Sequence, residues 1–337
     1  MKDLKNMLQE TLEFYQGQQK QLIASLAALP KGRIRKKIIN RDSYYYLQYR
    51  KSGNVVDEYI GKKVPEDLIA NLEKKKRLET ELKKIKEALK MLKTKGSREV
   101  EFIAPIKKFF TELTKQGLWE EELEIIGTWC FILYQRYLDV PYYPLSTRDL
   151  DILIPLPYKG KELDISKLLK ELGFNENFNP DGSMFFTGYG LKIEFLAPKK
   201  GKGRDKPEYV KSLGITPQLL RLMNILLEES TILKIGRGMN VRVPAPSAFL
   251  LHKLLVAQRR NAPGKAEKDI KQAIYVGKYI LQKPEERGKL FHLWQSFPFS
   301  WHKKTKRALM KAREILPLEE ATVNALEKLL ARPYPTK

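Results

Sequence analysis

The stretch Arg148-Asp149-Leu150-Asp151-Ile152-Leu153-Ile154 constrains this chain more than any other. Ile152, Leu153 and Ile154 form a continuous apolar run with high β propensity, which predicts a strand entering a core over Leu150–Leu156. Side chains two apart on a strand face the same way, so Asp149 and Asp151 project together from its N-terminal end. Two carboxylates held that close repel unless a cation lies between them. A fold built on this strand must therefore open a polar cleft beside an apolar sheet.

Glu194 lies in Leu191-Lys192-Ile193-Glu194-Phe195-Leu196, a second strand in which Lys192, Glu194 and Leu196 share one face. If the two strands are neighbours, Glu194 is a third carboxylate, placed to orient or deprotonate an attacking hydroxyl. Upstream, Gly127-Thr128 ends an apolar stretch and opens a helix. Glycine admits close approach of backbone to a phosphate, and the first helical N–H groups point at an anion. Magnesium prefers a few carboxylates plus substrate phosphates, and two such ions clamp the oxygens of an in-line displacement. The residues thus point to metal-assisted phosphoryl transfer, with Mg2+ or Mn2+ as cofactor and Asp149, Asp151 and Glu194 as ligands.

The combination resembles the nucleotidyltransferase superfamily with the polymerase-beta-like fold, and in particular its minimal, toxin-related bacterial branch. That pattern has a Gly-Ser or similar pair opening a helix, an acid-x-acid on the following strand, and a third acid on a later strand. Gly127, Thr128, Asp149, Asp151 and Glu194 match it here, and Val243–Lys253 with Arg259-Arg260 and Lys268-Asp269 adds to the likeness. Thr128 stands where serine is commoner, and Asp139–Ser146, rich in Tyr and Pro, lengthens the gap before the acids. The resemblance spans about residues 100–285. It implies a nucleoside triphosphate substrate, Gly127, Thr128 and Lys253 as nucleotide-binding residues, and transfer RNA as the leading acceptor. The toxin-related branch also suggests an antitoxin as partner, while residues 1–96 read as either a nucleic-acid-binding or a dimerisation module, which would make a second copy of the chain a partner. The alternative is an inactive relative of the same fold that only binds nucleic acid or a toxin–antitoxin partner.

Elsewhere the pattern predicts an α+β chain in three parts. Residues 1–96 read as two long helices joined by three short strands, Arg33–Asn40, Tyr44–Lys51 and Val55–Gly61, with turns at Asn40-Arg41-Asp42 and Ser52-Gly53-Asn54. Apolar residues recur from Leu4, Met7 and Leu8 to Leu29, and Leu78 to Leu92 approaches a heptad seam, so an antiparallel helical stalk carries the meander. Lys93–Ser97 reads as a hinge. Residues 97–210 form the mixed-sheet catalytic domain. Residues 211–337 read as mainly helical, beginning with a helix over Pro217–Glu229 and including a strand pair over Leu233–Pro244.

The chain has 63 Lys and Arg against 40 Asp and Glu, a net charge of +23, and such a basic balance points to a polyanion. Residues 1–96 hold 23 basic and 12 acidic side chains. In the meander Lys36, Lys37 and Arg50 lie among Tyr44 and Tyr46, a pairing of cations for phosphates and rings for bases that predicts nucleic-acid contact. The basic run Lys199–Arg204 reads as a loop. One cysteine, Cys130, excludes an internal disulfide framework, and three scattered histidines lack metal-ligand spacing. No apolar run reaches membrane-spanning length and the first residues lack a signal-peptide core, so the expected setting is the cytoplasm.

Overall fold

The computed structural model describes residues 4–94, 103–145, 147–199, 201, 206–236 and 239–331. Its contacts divide the chain into two compact units, Met1–Gly96 with Arg313–Glu320 and Ser97–Ala312 with Ala321–Lys337.

The first unit opens with helix α1 (Leu4–Ala27), continues through strands β1 (Arg33–Ile39), β2 (Asp42–Lys51) and β3 (Asn54–Gly61), and closes with helix α2 (Glu66–Thr94). The strands pair antiparallel in the order β1-β2-β3. Asn40 and Arg41 at one turn, and Ser52 and Gly53 at the other, all take positive φ, the geometry whose twist matches a two-residue hairpin loop. Between α1 and α2 the apolar residues interlock: Leu22, Leu78, Ile85 and Leu89 are buried, with Leu12, Tyr15, Leu26, Leu29 and Leu82 against them. Steps of four, three and four residues from Leu78 through Leu82 and Ile85 to Leu89 give α2 the single stripe that such a pair needs. The side chains of Leu4, Met7, Leu8 and Leu92, and the hinge beyond Thr94, lie outside the described residues.

The second unit is an α+β fold around a mixed sheet. Helix α3 (Ile103–Lys115) precedes strand β4 (Glu124–Ile126), helix α4 (Gly127–Tyr137) and strand β5 (Asp149–Leu153). Helix α5 (Ile165–Glu171) follows, then strands β6 (Asn175–Phe178), β7 (Met184–Gly188), β8 (Leu191–Pro198) and β9 (Gln218–Leu220). The order is β4-β5-β8-β7-β6, with β9 pairing the last residues of β8. β5 and β8 are parallel, flanked by antiparallel β4 and β7. Helix α6 (Asn224–Leu227) and the hairpin of β10 (Ser230–Gly236) and β11 (Met239–Pro244) lead into helices α7 (Pro246–Ala257), α8 (Pro263–Gln282), α9 (Pro284–Gln295), α10 (Phe299–Ile315) and α11 (Glu320–Leu330). Among the described residues no helix is long and apolar enough to cross a membrane.

Three departures from the sequence pattern have physical causes. The helix expected over Pro217–Glu229 is instead strand β9 followed by the four-residue α6. Residues 196–198 of β8 extend past β7 and leave backbone groups that Gln218–Leu220 pair with, and pairing of a buried edge outweighs helix propensity. Strand β4 is only three residues long, too short for alternation to show. β6, Asn-Glu-Asn-Phe, ends the sheet, and its polar sequence suits a position wetted on one side.

Candidate functional site

β5 and β8 run side by side in register, Asp149 opposite Lys192 and Asp151 opposite Glu194. Register partners in a parallel pair face the same way, so one sheet face carries two aspartates, a lysine and a glutamate as neighbours. Two residues further on the same face turns apolar: Leu153 and Leu196 pack with Ile126, Met223 and Leu226. The acids therefore stand at the border between a dry cluster and the open strand ends. The opposite face holds Leu150, Ile152, Ile193 and Phe195, all fully buried, which anchors both strands and fixes where the carboxylates point.

Gly127 closes the cleft from the side. It takes φ +67°, and a Cβ there would lie 2.2 Å from Oδ2 of Asp151. Only glycine lets the start of α4 come this near a carboxylate. Thr128 is buried directly after it, and its Oγ1 accepts a hydrogen bond from Nε2 of Gln272 on α8 at 3.2 Å. The threonine hydroxyl thus ties the helix start to the helical part of the same unit.

Electrostatics around Asp151 follow from this crowding. Burial is the main cause that raises its carboxyl, to about 6, and repulsion from Glu194 and then Asp149 adds to it. Lys253 and Arg260 oppose the rise through their positive charge. Glu194 is not left bare, because Nζ of Lys192 donates to its Oε1 at 2.8 Å and lies 4.4 Å from the ring centre of Phe185.

Lys253, on α7, is itself buried and bonds to Oδ1 of the buried Asp269 at 2.7 Å, while Nε of Arg260 reaches Oδ2 at 3.0 Å. Burial pushes the Asp269 carboxyl up, but the charge and hydrogen bond of Lys253, with Arg260, outweigh it and hold the group below the usual range. Burial, and next Lys253, lowers the Lys268 ammonium, while Asp269, Asp149 and Asp151 support its charge. Lys253 of α7, Arg260 of the turn after it, and Lys268 and Asp269 of α8 thus add three cations and one anion to the electrostatics around the carboxylates. His252 is kept neutral, its ring lowered to about 3 by burial and then by Lys253, so it is neither a charged contact nor a base near neutral pH.

The structure brings Asp149, Asp151, Glu194, Gly127, Thr128 and Lys253 together in one unit. Lys192, Arg260, Lys268, Asp269 and Gln272 join them, and sequence reasoning assigned none of these a role. Lys192 had a readable signal, two residues before Glu194 on one strand face. Arg260, Lys268 and Asp269 entered only as part of the resemblance, and the pairing of Asp269 was not readable because Lys253 lies 16 residues away on another helix. Most of the basic run 199–204 lies outside the described residues. In the first unit Lys37, Tyr44, Tyr46 and Arg50 share one face of the meander, whereas Lys36, opposite Tyr45, projects from the other. The strand alternation separates Lys36 from the rings it had been grouped with.

Whether the residues suit a metal can be tested on the donors present. Among the described residues no three His, Cys, Asp or Glu side chains gather closely enough to hold an ion by themselves. Asp149 and Asp151 nevertheless offer only hard oxygen donors, and Mg2+ is commonly held by one or two carboxylates plus substrate phosphates. The mutual repulsion felt by Asp151 is what a bound cation would relieve. The pair therefore fits a magnesium-type ion that arrives with a phosphate ligand.

Residues 104–296 match a family described as nucleotidyltransferase, more than half of the chain, and residues 3–70 match a domain of unknown function. A comparison with curated proteins finds no match. Among solved structures, an antigenic nucleotidyltransferase-like protein from Paracoccidioides brasiliensis aligns at 14% identity with a TM-score of 0.36, covering 65% of this chain and 93% of that one.

Proposed function

The chain belongs to the nucleotidyltransferase family, and from that premise we propose that it joins a nucleotidyl group from a nucleoside triphosphate to an RNA acceptor at the β5–β8 cleft. One observation carries the reading: Asp149 and Asp151 share a sheet face on which Asp151 sits opposite Glu194, with Gly127 closed against it. Asp149 and Asp151 would hold Mg2+ or Mn2+, and such an ion would supply neutralisation of the phosphate charge. The N–H groups at the start of α4 and the ammonium groups of Lys253 and Lys268 hold the triphosphate. Glu194, released from Lys192, orients the acceptor hydroxyl and takes its proton. The hydroxyl oxygen bonds to the α phosphorus as the bond to the β-phosphate oxygen breaks, and pyrophosphate leaves. Positioning and fixed charge contribute most of the acceleration.

The excess of 23 positive charges supports RNA as the acceptor, with transfer RNA the leading class from the resemblance to toxin-related members. The test is incubation with each labelled triphosphate and total RNA, with magnesium or with a chelator. Magnesium-dependent labelling of RNA that disappears in Asp149→Asn is the expected result. A second reading draws on the Lys192–Glu194 bond, which gives the third carboxylate a cation of its own: a relative that binds nucleic acid, or an antitoxin, without catalysis. RNA binding indifferent to magnesium and triphosphate, with no labelling, would favour it.

A further inference from the structure

The three-stranded meander of the first unit is an unusual sheet, because none of its residues is fully buried. Yet its sequence is not that of a merely solvated surface. Residues 33–63 hold nine Lys and Arg against three Asp and Glu, with five tyrosines between them.

Strand register sorts these residues. On one face Arg33, Arg35 and Lys37 of β1 oppose Gln48, Tyr46 and Tyr44 of β2, and Tyr59 and Asp57 of β3 oppose Tyr46 and Gln48. The three rings form a contiguous cluster. Tyr46 and Tyr59 have centroids 5.4 Å apart at 56°, and Tyr44 and Tyr59 lie 6.3 Å apart at 46°. Tyr59 remains 56% exposed at the centre of the cluster. Cations border the rings: Nζ of Lys37 lies 4.4 Å from the centre of Tyr46, and Nζ of Lys62 lies 5.5 Å from that of Tyr44. Asp57 and Asp42 are the acids on this face among the described register partners. Asp57 holds Lys37 at 2.8 Å and Arg35 at 3.3 Å, and Asp42 holds Lys62 at 2.8 Å, so three cations share two carboxylates and, with Arg33 and Arg50, the face keeps a positive excess. Further along β2 the same face carries Gln48 and Arg50, which with Arg33, Lys75 and Lys76 line a groove of about 760 Å3 that also holds Glu73, Glu79 and apolar residues of β1, β3 and α2, four cations against two acids.

We infer that this face docks a single-stranded RNA segment, its bases on Tyr44, Tyr46 and Tyr59 and its phosphates along Lys37, Lys62, Arg35 and the groove of Arg33, Arg50, Lys75 and Lys76. The chemistry is that of strand-tracking surfaces, in which rings take base faces without regard to sequence and cations follow the backbone. Charge complementarity selects a polyanion, and the exposed rings select unpaired bases over duplex, whose bases are stacked already. The inference rests on the reading that the acceptor is RNA, and it gives that RNA a binding surface in the unit that lacks the carboxylate cleft.

The full-length protein and a fluorescent single-stranded oligoribonucleotide provide the test, by anisotropy at fixed moderate salt. Tyr59→Ala should weaken binding roughly ten-fold, the loss of one stacked base. Tyr59→Phe keeps the ring and should bind as wild type does. Lys37→Gln should weaken binding and flatten its salt dependence. Circular dichroism checks that each variant folds, and if Tyr59→Ala does not, the Lys37→Gln result still decides. Wild-type affinity in both folded Tyr59→Ala and Lys37→Gln would overturn the inference, as would equal affinity for duplex RNA or tighter binding of the matching single-stranded DNA. Labelling of the same RNA from triphosphate is scored separately. Binding lost with Tyr59→Ala while wild type shows no transfer removes the catalytic reading and keeps the docking face. Transfer with unaltered KM for RNA in Tyr59→Ala does the reverse.

Discussion

At the residue scale the site is organised by what cannot be substituted. Gly127 combines a left-handed φ of +67° with a Cβ position 2.2 Å from Asp151. Gly127→Ala should cost about 1–2 kcal/mol for the backbone alone and displace the Asp151 carboxylate. Transfer should fall about 100-fold, the usual penalty for an ångström of misplacement. Steady-state labelling alongside thermal denaturation measures both, and full activity would mean that Asp151 need not stand where it does. Asp151 illustrates the opposite cost. Its burial and its acidic neighbours make the ionised form unfavourable, so Asp151→Asn should abolish transfer while leaving the melting temperature at pH 8 unchanged or raised. A large drop in melting temperature with activity kept would make Asp151 a structural residue.

Between elements the informative contacts are those that join sheet to hairpin and helix to helix. Glu124 of β4 is fully buried, bonded to the hydroxyl of Ser230 on β10 and 3.4 Å from Nε of Arg242 on β11. Burial is the largest effect on it and pushes its carboxyl from 4.5 up to about 7, against Ser230 and Arg242. The folded state therefore holds the proton more tightly than the unfolded state, and stability falls as pH rises from about 4.5 to 7, then levels off. The full effect is at most about 3 kcal/mol. Glu124→Gln should flatten this part of the pH–stability curve, measured by denaturant unfolding at pH 5 and pH 7.5. An identical slope in the variant would show that Glu124 is already ionised in the fold. In the helix pair, Ile85→Ala removes a buried branch from the α1–α2 seam and should cost about 2–5 kcal/mol. Loss of the α1 helical signal at lower denaturant would register it.

For the molecule as a whole the leading quantity is the charge of +23. Binding of single-stranded RNA should weaken steeply with salt, because each phosphate neutralised releases counterions. The logarithm of affinity should fall with the logarithm of salt at about 0.7 per contact. With four or more contacts on the meander, affinity between 50 and 200 mM salt should drop by roughly 50-fold or more. A nearly flat salt response would mean that the basic excess is spread over solvated surface and meets no polyanion.

Local physics made much of this legible from residues alone. Heptad steps in α2, turn chemistry at Asn40-Arg41 and Ser52-Gly53, and the acid-x-acid before an apolar run all act over a few residues, so spacing and side-chain type decide them. The same locality put Asp149 and Asp151 on one face before any partner strand was known. What the sequence could not decide was which strand lies next to which. The β5–β8 register that sets Glu194 against Asp151, the use of 218–220 as strand β9, and the bond from Lys253 to Asp269 depend on segments brought together by burial. Lys36 shows the limit at its smallest, since grouping by proximity in sequence put it with the tyrosines and the pleat turned it to the other face. Local preferences are weak, each a fraction of the free energy released when a core closes, so tertiary contact settles pairing and register wherever several local arrangements are nearly equal.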